Sequence, residues 1–485
     1  MLKQNVPLFI LIFLAFLTRF LFLAYPSEVV FDEVHFGKFV FAYFSGEYYF
    51  DIHPPLAKLM IGGFYKIFGE QTEFDFDHIG ETFNKKSLFI LRFLPAFFGA
   101  LFVILIYKLI LAFGLSKKSA ILGGSLILLE NAFLVESKFI LTDIFLLFFG
   151  FGSLYFFFLA RKEGAGPAPE PRRRTSTLRG RQARYGASKN LFFILAGVFA
   201  ALSFSIKWTG LSFLGIILFF VLIDLIKNFK LKGLLLKSVY FILLPLLVYF
   251  FVFFIHFELL PNPGPGSAYM SQAFQLTLKD NETAKDAIKA RSVFGKFIEL
   301  NKAMYSYSAA LEADHPDKSY FYQWPIMKKP IWYWNKKIDG STDSPQSAKS
   351  ANIYFFGNPL IWWLVALIVP FSLFISQIKK VERKILPYYG ILIFGFLVNL
   401  LPFIFVKRVT FLYHYLPALT FGILILVLFI EKIPSVFKAN VPLKFFIGFL
   451  FLVFIIFLLV SPLTYGFFLP EKINLYYLKI IGFFN

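Results

Sequence analysis

The strongest constraint on this chain is how much of it can only sit in lipid. Eleven apolar runs, at about 7–24, 88–112, 119–135, 139–160, 191–207, 211–226, 238–260, 358–377, 385–406, 412–430 and 445–466, approach or exceed bilayer-spanning length. A helix needs roughly 20 such residues to cross. Hydrocarbon offers the backbone no water, so these runs must be helices that satisfy their own N–H and C=O groups. Only 16% of the 485 residues are charged and 71 are Phe, whereas soluble domains carry about 25% charge. The expectation is an all-α integral membrane protein with about eleven transmembrane helices, its extracytoplasmic loops carrying amphipathic helices. The first run lacks a small-x-small cleavage site before Pro26 and reads as a retained anchor.

The net charge of +20 belongs mainly to loops and headgroup contacts. No helix-turn-helix, RNA-binding or zinc-finger pattern accompanies it. With the N-terminus in the cytoplasm, the basic links at Lys117–Lys118, 161–190, Lys227–Lys237, Lys379–Lys384 and Lys432–Lys438 all fall inside, as the positive-inside rule requires. The extracytoplasmic side then receives 25–87, the links near 136, 207–210 and 407–411, the long loop 261–357, and the tail. Three parts follow: 1–260 with seven spans, 261–357 as a loop or cap, and 358–485 with four spans and the tail. The absence of Cys excludes disulfides, thiolate metal sites and cysteine nucleophiles.

Two loops stand apart. The 161–189 segment holds seven of the twelve arginines, with Pro, Gly and Ser around them, and is predicted to be a disordered cytoplasmic loop. It reads equally as a binder of anionic lipid or as a plain insertion. The 261–357 loop opens on the breaker run PNPGPGS, continues with helix-compatible sequence, and then carries YFYQWPIMKKPIWYW. A small folded cap or helix pair on the membrane is expected. The aromatics around Trp324 suit an interfacial belt or a substrate platform.

Charges at span ends are costly and point to function. FDEVHFGKF (31–39) brings Asp32, Glu33, His35 and Lys38 to the end of span one. Arg92 lies about four residues, roughly 6 Å, into span two. Glu130, Glu136, Asp143, Lys207, Lys407 and Arg408 reach the same side. This pattern predicts a polar cavity opening outward. Neighbouring carboxylates diverge on a helix or strand, so Asp32 and Glu33 make a poor acid–base pair for hydrolysis. One carboxylate acting as base on an acceptor hydroxyl fits better, with Arg92, Lys207, Lys407 and Arg408 stabilising a phosphate leaving group. The plainer readings are solvated loop acids, lysines snorkelling to headgroups, and His35 and His53 as structural hydrogen-bonders. No His/Asp spacing completes a metal site.

These residues carry a resemblance to the protein O-mannosyltransferases, which use polyprenyl- or dolichyl-phosphate mannose. FDEVHFGKF and GEYYFDIHPPLAKLMIG (46–62) resemble that family's first extracytoplasmic loop. LRFLPAFFGAL (91–101), ENAFLVESKFILTDIFLLFF (130–149), SIKWTGL (205–211), HPDKSYFYQWPIMKKPIWYW (315–334) and KRVTFLYHYLPAL (407–419) follow in the family's order. The resemblance implies a C-type glycosyltransferase fold with eleven spans, and inverting transfer of mannose to Ser or Thr of proteins. It implies Asp32 as the base, Glu33 as its acceptor- or cavity-shaping neighbour, and Arg92 as a cation near the donor phosphate. Asp51, His53, Pro54, Pro55, Asp143, His315 and Trp324 would shape the site. Neither cofactor nor metal is implied, and related enzymes include dimers.

The sequence departs from the family in three places. The 261–357 loop has no room for the β-trefoil MIR domain of eukaryotic members, which points to a prokaryotic-type enzyme in the cell membrane rather than the endoplasmic reticulum. Lys138 stands where Arg is expected, and the Arg-rich insert is not a family feature. A lipid or glycan acceptor, as in aminoarabinose transferases, is the competing enzyme class. A transporter or scaffold is weaker, because no internal repeat is visible.

Overall fold

The computed structural model describes residues 2–70, 74–164, 176–279, 289–311, 315–339, 348–375, 379–436 and 441–485. Helix α1 (Leu2–Phe20) leads into a loop that carries α2 (Glu33–Ser45) and α3 (Leu56–Phe68). There follow α4 (Lys85–Ala112), α5 (Lys117–Leu128), the short α6 (Asn131–Glu136), α7 (Asp143–Gly164), α8 (Ser176–Phe204) and α9 (Leu211–Lys227). A π turn at Val239–Leu243 joins α10 (Leu231–Ser238) to α11 (Leu244–Leu259) as one apolar helix. A Cβ on Gly197 would lie 2.1 Å from the Tyr240 carbonyl oxygen, so only glycine lets α8 touch that turn. The next loop holds α12 (Gln272–Gln275), α13 (Val293–Ala310), β1 (Ile331–Ile338) and β2 (Lys349–Phe355). The chain continues through α14 (Pro359–Ile375), α15 (Lys379–Val398), α16 (Leu416–Val436), α17 (Leu443–Tyr465), β3 (Leu469–Pro470) and α18 (Glu471–Phe484).

Among the described residues, six helical stretches are long and apolar enough to cross a membrane, and four shorter apolar ones join them. Together they overlie ten of the expected runs, and the chain is a multi-pass membrane protein. The run 119–135 differs. Glu130 stops α5 and opens α6, accepting N–H bonds from Ala132 and Phe133 at 2.7 and 3.1 Å. Its second oxygen accepts Asn358 N–H at 2.6 Å and Trp362 Nε1–H at 2.8 Å. A carboxylate with four donors tolerates full burial, so this acid is a staple inside the bundle. The span containing α16 is 89% buried and runs through the middle, while the span of α17 is only 22% buried and faces lipid.

Of the small folded cap or helix pair expected for the loop 261–357, the described residues show one long helix and a sheet rather than two paired helices. The loop contains α13, but its aromatic stretch ends in a strand: β1 pairs antiparallel with β2, and β2 with β3 from the tail. Aromatic and β-branched residues in IWYWNKKI favour a pleated, half-buried surface, and Ile331, Tyr333 and Trp334 are buried there. In the Arg-rich segment, 165–175 lie outside the described residues, whereas 176–189 run as the first turns of α8. Leu, Gln, Arg and Ala in that stretch are good helix formers and no Pro interrupts them. The disordered loop expected over 161–189 therefore does not extend to 176–189.

PNPGPGS also has a definite task. Tyr48 N–H donates to Asn262 O, Asn262 N–H to Gly46 O, and Gly266 N–H to Tyr48 O, each at 2.9 Å. A Cβ on Gly266 would fall 2.3 Å from the backbone of Tyr49 and Phe50. The glycine allows this close approach, which pins residues 46–50 just ahead of Asp51.

Candidate active site

Phe31, Asp32 and Glu33 show how two adjacent acids come to differ. Phe31 has φ 47°, a left-handed conformation costly for an aromatic residue and typical of functional turns. It is held by Tyr333: the two rings stack with centroids 4.1 Å apart, and Phe31 N–H donates to Tyr333 O at 3.1 Å. The turn directs Asp32 to one side and Glu33 to the other. Asp32 sits at the N-cap of α2 without capping it, and no described residue hydrogen-bonds its carboxylate. It lines a cavity of about 680 Å³ together with His35, His78, His315, Asp317 and Trp332. Desolvation pushes its carboxyl up to about 6; Asp143 and Asp51 add to the rise, and His35 and Lys207 oppose it.

Glu33 is fully buried and receives four hydrogen bonds. Oε1 accepts Arg92 Nε–H at 2.7 Å and Ile140 N–H at 2.9 Å. Oε2 accepts Arg92 Nη2–H at 2.7 Å and Val30 N–H at 2.9 Å. Arg92 spends its remaining donors on the carbonyls of Pro26 (2.8 Å), Glu28 (2.9 Å) and Leu23 (3.4 Å), with its guanidinium 4.9 Å from the Phe139 ring centre. All five N–H groups of the guanidinium are therefore engaged by the protein. The expectation that Arg92 faces a donor phosphate does not fit this geometry, in which it and Glu33 form a buried clamp behind the Asp32 turn.

Three of the other expected residues, Asp51, Asp143 and Lys207, enter two ion pairs around the same end of the bundle. Lys207 contacts both Asp143 oxygens at 3.0 and 2.9 Å and lies 4.9 Å from the Tyr413 ring centre. Asp51 accepts a short hydrogen bond from Lys58, which also donates to His53 O at 3.0 Å. Asp51 further accepts His53 N–H at 3.2 Å. Burial holds the His53 imidazole well below its ordinary pKa, and Lys207, Arg408 and Lys58 push the same way, so it is neutral. Pro54 and Pro55 are buried, and Pro55 opens α3. Lys407 is exposed. Arg408 is half-buried and has no hydrogen bond or ion pair to any described residue.

His315 lines the cavity, and its Nδ1 accepts Asp317 N–H at 3.2 Å. Trp324 does not reach it: buried, it donates to Ser319 Oγ at 3.0 Å and packs on Phe403 and His414. His35 stands exposed at the cavity, while Lys38 makes a surface pair with Asp77 at 3.0 Å. Lys138, where Arg was expected, donates to Leu21 O at 2.7 Å. Among the described residues no group of three His, Asp or Glu could hold a metal. Sequence reasoning passed over Lys58, whose position seven residues after Asp51 was visible within GEYYFDIHPPLAKLMIG. It also passed over Tyr333, which holds Phe31 and donates to Glu136 Oε1 at 2.7 Å. That contact has no local sequence signal.

A bundle of apolar helices with the carboxylate of Asp32 free on its first long loop, over a cavity lined by acids and histidines, has the fold of the C-type glycosyltransferases. The Saccharomyces cerevisiae protein O-mannosyltransferase Pmt1–Pmt2 complex bound to the sugar donor matches it with TM-score 0.82 and 21% identity, covering 96% of this chain and 90% of that one. The Archaeoglobus fulgidus oligosaccharyltransferase in its apo form matches with TM-score 0.52 and 13% identity, over 96% and 57% of the two chains.

Residues 9–261 match the family model described as dolichyl-phosphate-mannose-protein mannosyltransferase, and residues 293–482 match the C-terminal four-transmembrane region of protein O-mannosyltransferase. The chain belongs to this family. Similar curated relatives are dolichyl-phosphate-mannose–protein mannosyltransferase 1 of Saccharomyces cerevisiae and protein O-mannosyltransferase 1 of Drosophila melanogaster. Each is 33% identical over 55% of this chain. The matched region spans only 32% and 29% of those relatives' own lengths.

Proposed function

We propose that this protein transfers mannose from a polyprenyl-phosphate donor to Ser or Thr hydroxyls of polypeptides, on the extracytoplasmic face of the cell membrane. The observation that carries the reading is the unequal fate of the two acids. Glu33 is consumed by Arg92, whereas Asp32 faces the cavity with its carboxylate free. The acceptor oxygen attacks the mannose anomeric carbon, Asp32 takes the hydroxyl proton, and the carbon–oxygen bond to phosphate breaks with its electrons on the phosphate. A single base makes this an inverting displacement. Among the described cations expected here, Arg408 is half-buried with its donors unspent and is assigned to the leaving phosphate, whereas Lys407 is exposed and Lys207 is already matched by Asp143. The N-terminus is cytoplasmic in this reading, and a dimer is in keeping with the Pmt1–Pmt2 assembly.

The test incubates purified protein with polyprenyl-phosphate mannose and a Ser/Thr peptide and scores glycopeptide by mass. Mannose arriving on lipid instead would replace the proposal with the lipid-acceptor class. The same assay checks two further expectations. Because the base works only when ionised, kcat/KM should fall tenfold per unit below an acid limb centred near pH 6 and level off above it. A limb near 4 would mean an unperturbed carboxylate. Arg408→Gln should lower turnover by about 100- to 1,000-fold and weaken donor use, whereas Lys407→Gln, at an exposed position, should leave both within about twofold.

A further inference from the structure

At the end of the bundle opposite Asp32, the starts of α1, α5 and α17 and the end of α4 leave a groove of about 370 Å³ between them. Its walls are apolar, with Leu8 from α1, Tyr107 from α4, Ile121 from α5 and Phe446 from α17. Lys117 and Lys118 break the pattern. Both line the groove yet are exposed, so they stand at its rim, and neither is ion-paired to any described residue. Glu431 reaches α5 nearby, but it accepts Ser116 N–H at 2.9 Å and pairs with Lys432 at 3.1 Å.

The groove has a closed and an open end. Toward Asp32, Tyr465 OH donates to Thr18 O at 2.8 Å and ties α17 to α1. Leu11 seats against Gly124, where a Cβ would lie 2.7 Å from its Cδ2. Among the described residues, no hydrogen bond joins α1 to α17 at the Lys117 end. Because α5 and α17 both begin there, the opening lies where spans meet the headgroup layer.

We propose that this groove binds an anionic glycerophospholipid, with an acyl chain along the apolar walls and the headgroup phosphate at Lys117 and Lys118. The volume falls in the roughly 300–1,000 Å³ range of ligand pockets. Charge complementarity selects the headgroup: two unpaired ammonium groups attract a net negative headgroup, while a choline headgroup brings its own cation against them. An acyl chain is the ligand part that matches apolar walls open to lipid. The site is separate from the Asp32 cavity and does not depend on the proposed transfer reaction.

The test is native mass spectrometry of the full chain with equimolar phosphatidylglycerol and phosphatidylcholine, alongside thermal unfolding in each lipid. Wild type should retain one phosphatidylglycerol in preference by roughly tenfold, since each lysine near an anionic headgroup contributes several-fold in affinity. It should also unfold at a higher temperature in phosphatidylglycerol than in phosphatidylcholine. Lys117→Ala/Lys118→Ala should lose both the preference and that rise while unfolding normally in phosphatidylcholine. Equal retention of the two lipids by wild type, or an unchanged preference in the double variant, overturns the site. Stronger retention of polyprenyl phosphate than of phosphatidylglycerol at these lysines would overturn the choice of lipid.

Discussion

Asp32→Asn is expected to reduce mannose transfer by at least about 100-fold, the lower end of what a positioned general base contributes, while the protein stays inserted and folded. The two halves of this expectation come from the same geometry. The carboxylate accepts no hydrogen bond from any described residue, so the amide disrupts no contact. The folded site favours the neutral carboxyl, which titrates near 6 rather than near 3.9 as in an unfolded chain. That preference contributes stability that is full below about pH 4 and is lost as pH rises through about 6. At pH 7 the wild-type site carries an ionised group it does not favour, and the asparagine variant does not. Its thermal midpoint should therefore equal or exceed that of wild type. An inactive variant that is also unstable would assign Asp32 a structural role, and an active one would remove it from the chemistry. Stability gained with activity lost is the signature of a strained functional residue.

The degree to which this arrangement could be read in advance varied with the range of the contacts involved. The apolar runs announced the spans, because their lengths answer to the bilayer alone. Adjacency in FDEVHFGKF was enough to argue for one base over an acid–base pair, since neighbouring side chains diverge, and Asp32 and Glu33 do. That a buried Arg92 needs a partner was also legible. The identity of the partner was not: Glu33 lies 59 positions away, and the pairing depends on α4 passing behind the turn before α2. A phosphate was the natural guess for a cation near a site expected to take a phosphate donor, yet the chain supplies its own carboxylate. The sheet was hidden for a similar reason, as β2 finds its second neighbour, β3, in the tail. Glu130 was visible as an acid at a span end. Its work as a staple depends on Asn358 and Trp362, 228 and 232 positions away.

The clamp behind the turn should prove the most fragile feature of the site. Glu33→Gln and Arg92→Leu are each expected to cost about 3–5 kcal/mol, the usual penalty for leaving one half of a buried ion pair. Glutamine is nearly isosteric, but each Glu33 oxygen accepts one Arg92 N–H and one backbone N–H. An amide NH2 in either place sets a donor against two donors. Arg92→Leu strands the carboxylate together with the carbonyls of Leu23, Pro26 and Glu28. Combining the two as Glu33→Gln/Arg92→Leu removes both charges but restores none of those carbonyls, each worth about 1–3 kcal/mol when buried without a partner. The double variant should therefore lie above the sum of the single losses yet well below wild type, with a favourable coupling energy in the cycle. Thermal unfolding in detergent measures the stabilities, and titration with polyprenyl-phosphate mannose separates the two roles open to Arg92. Because its five N–H groups are all engaged by the protein, the folded fraction of Arg92→Lys should bind donor with near wild-type affinity while turning over slowly, as the Asp32 turn loosens. A variant with wild-type stability and weakened donor binding would instead return Arg92 to the phosphate.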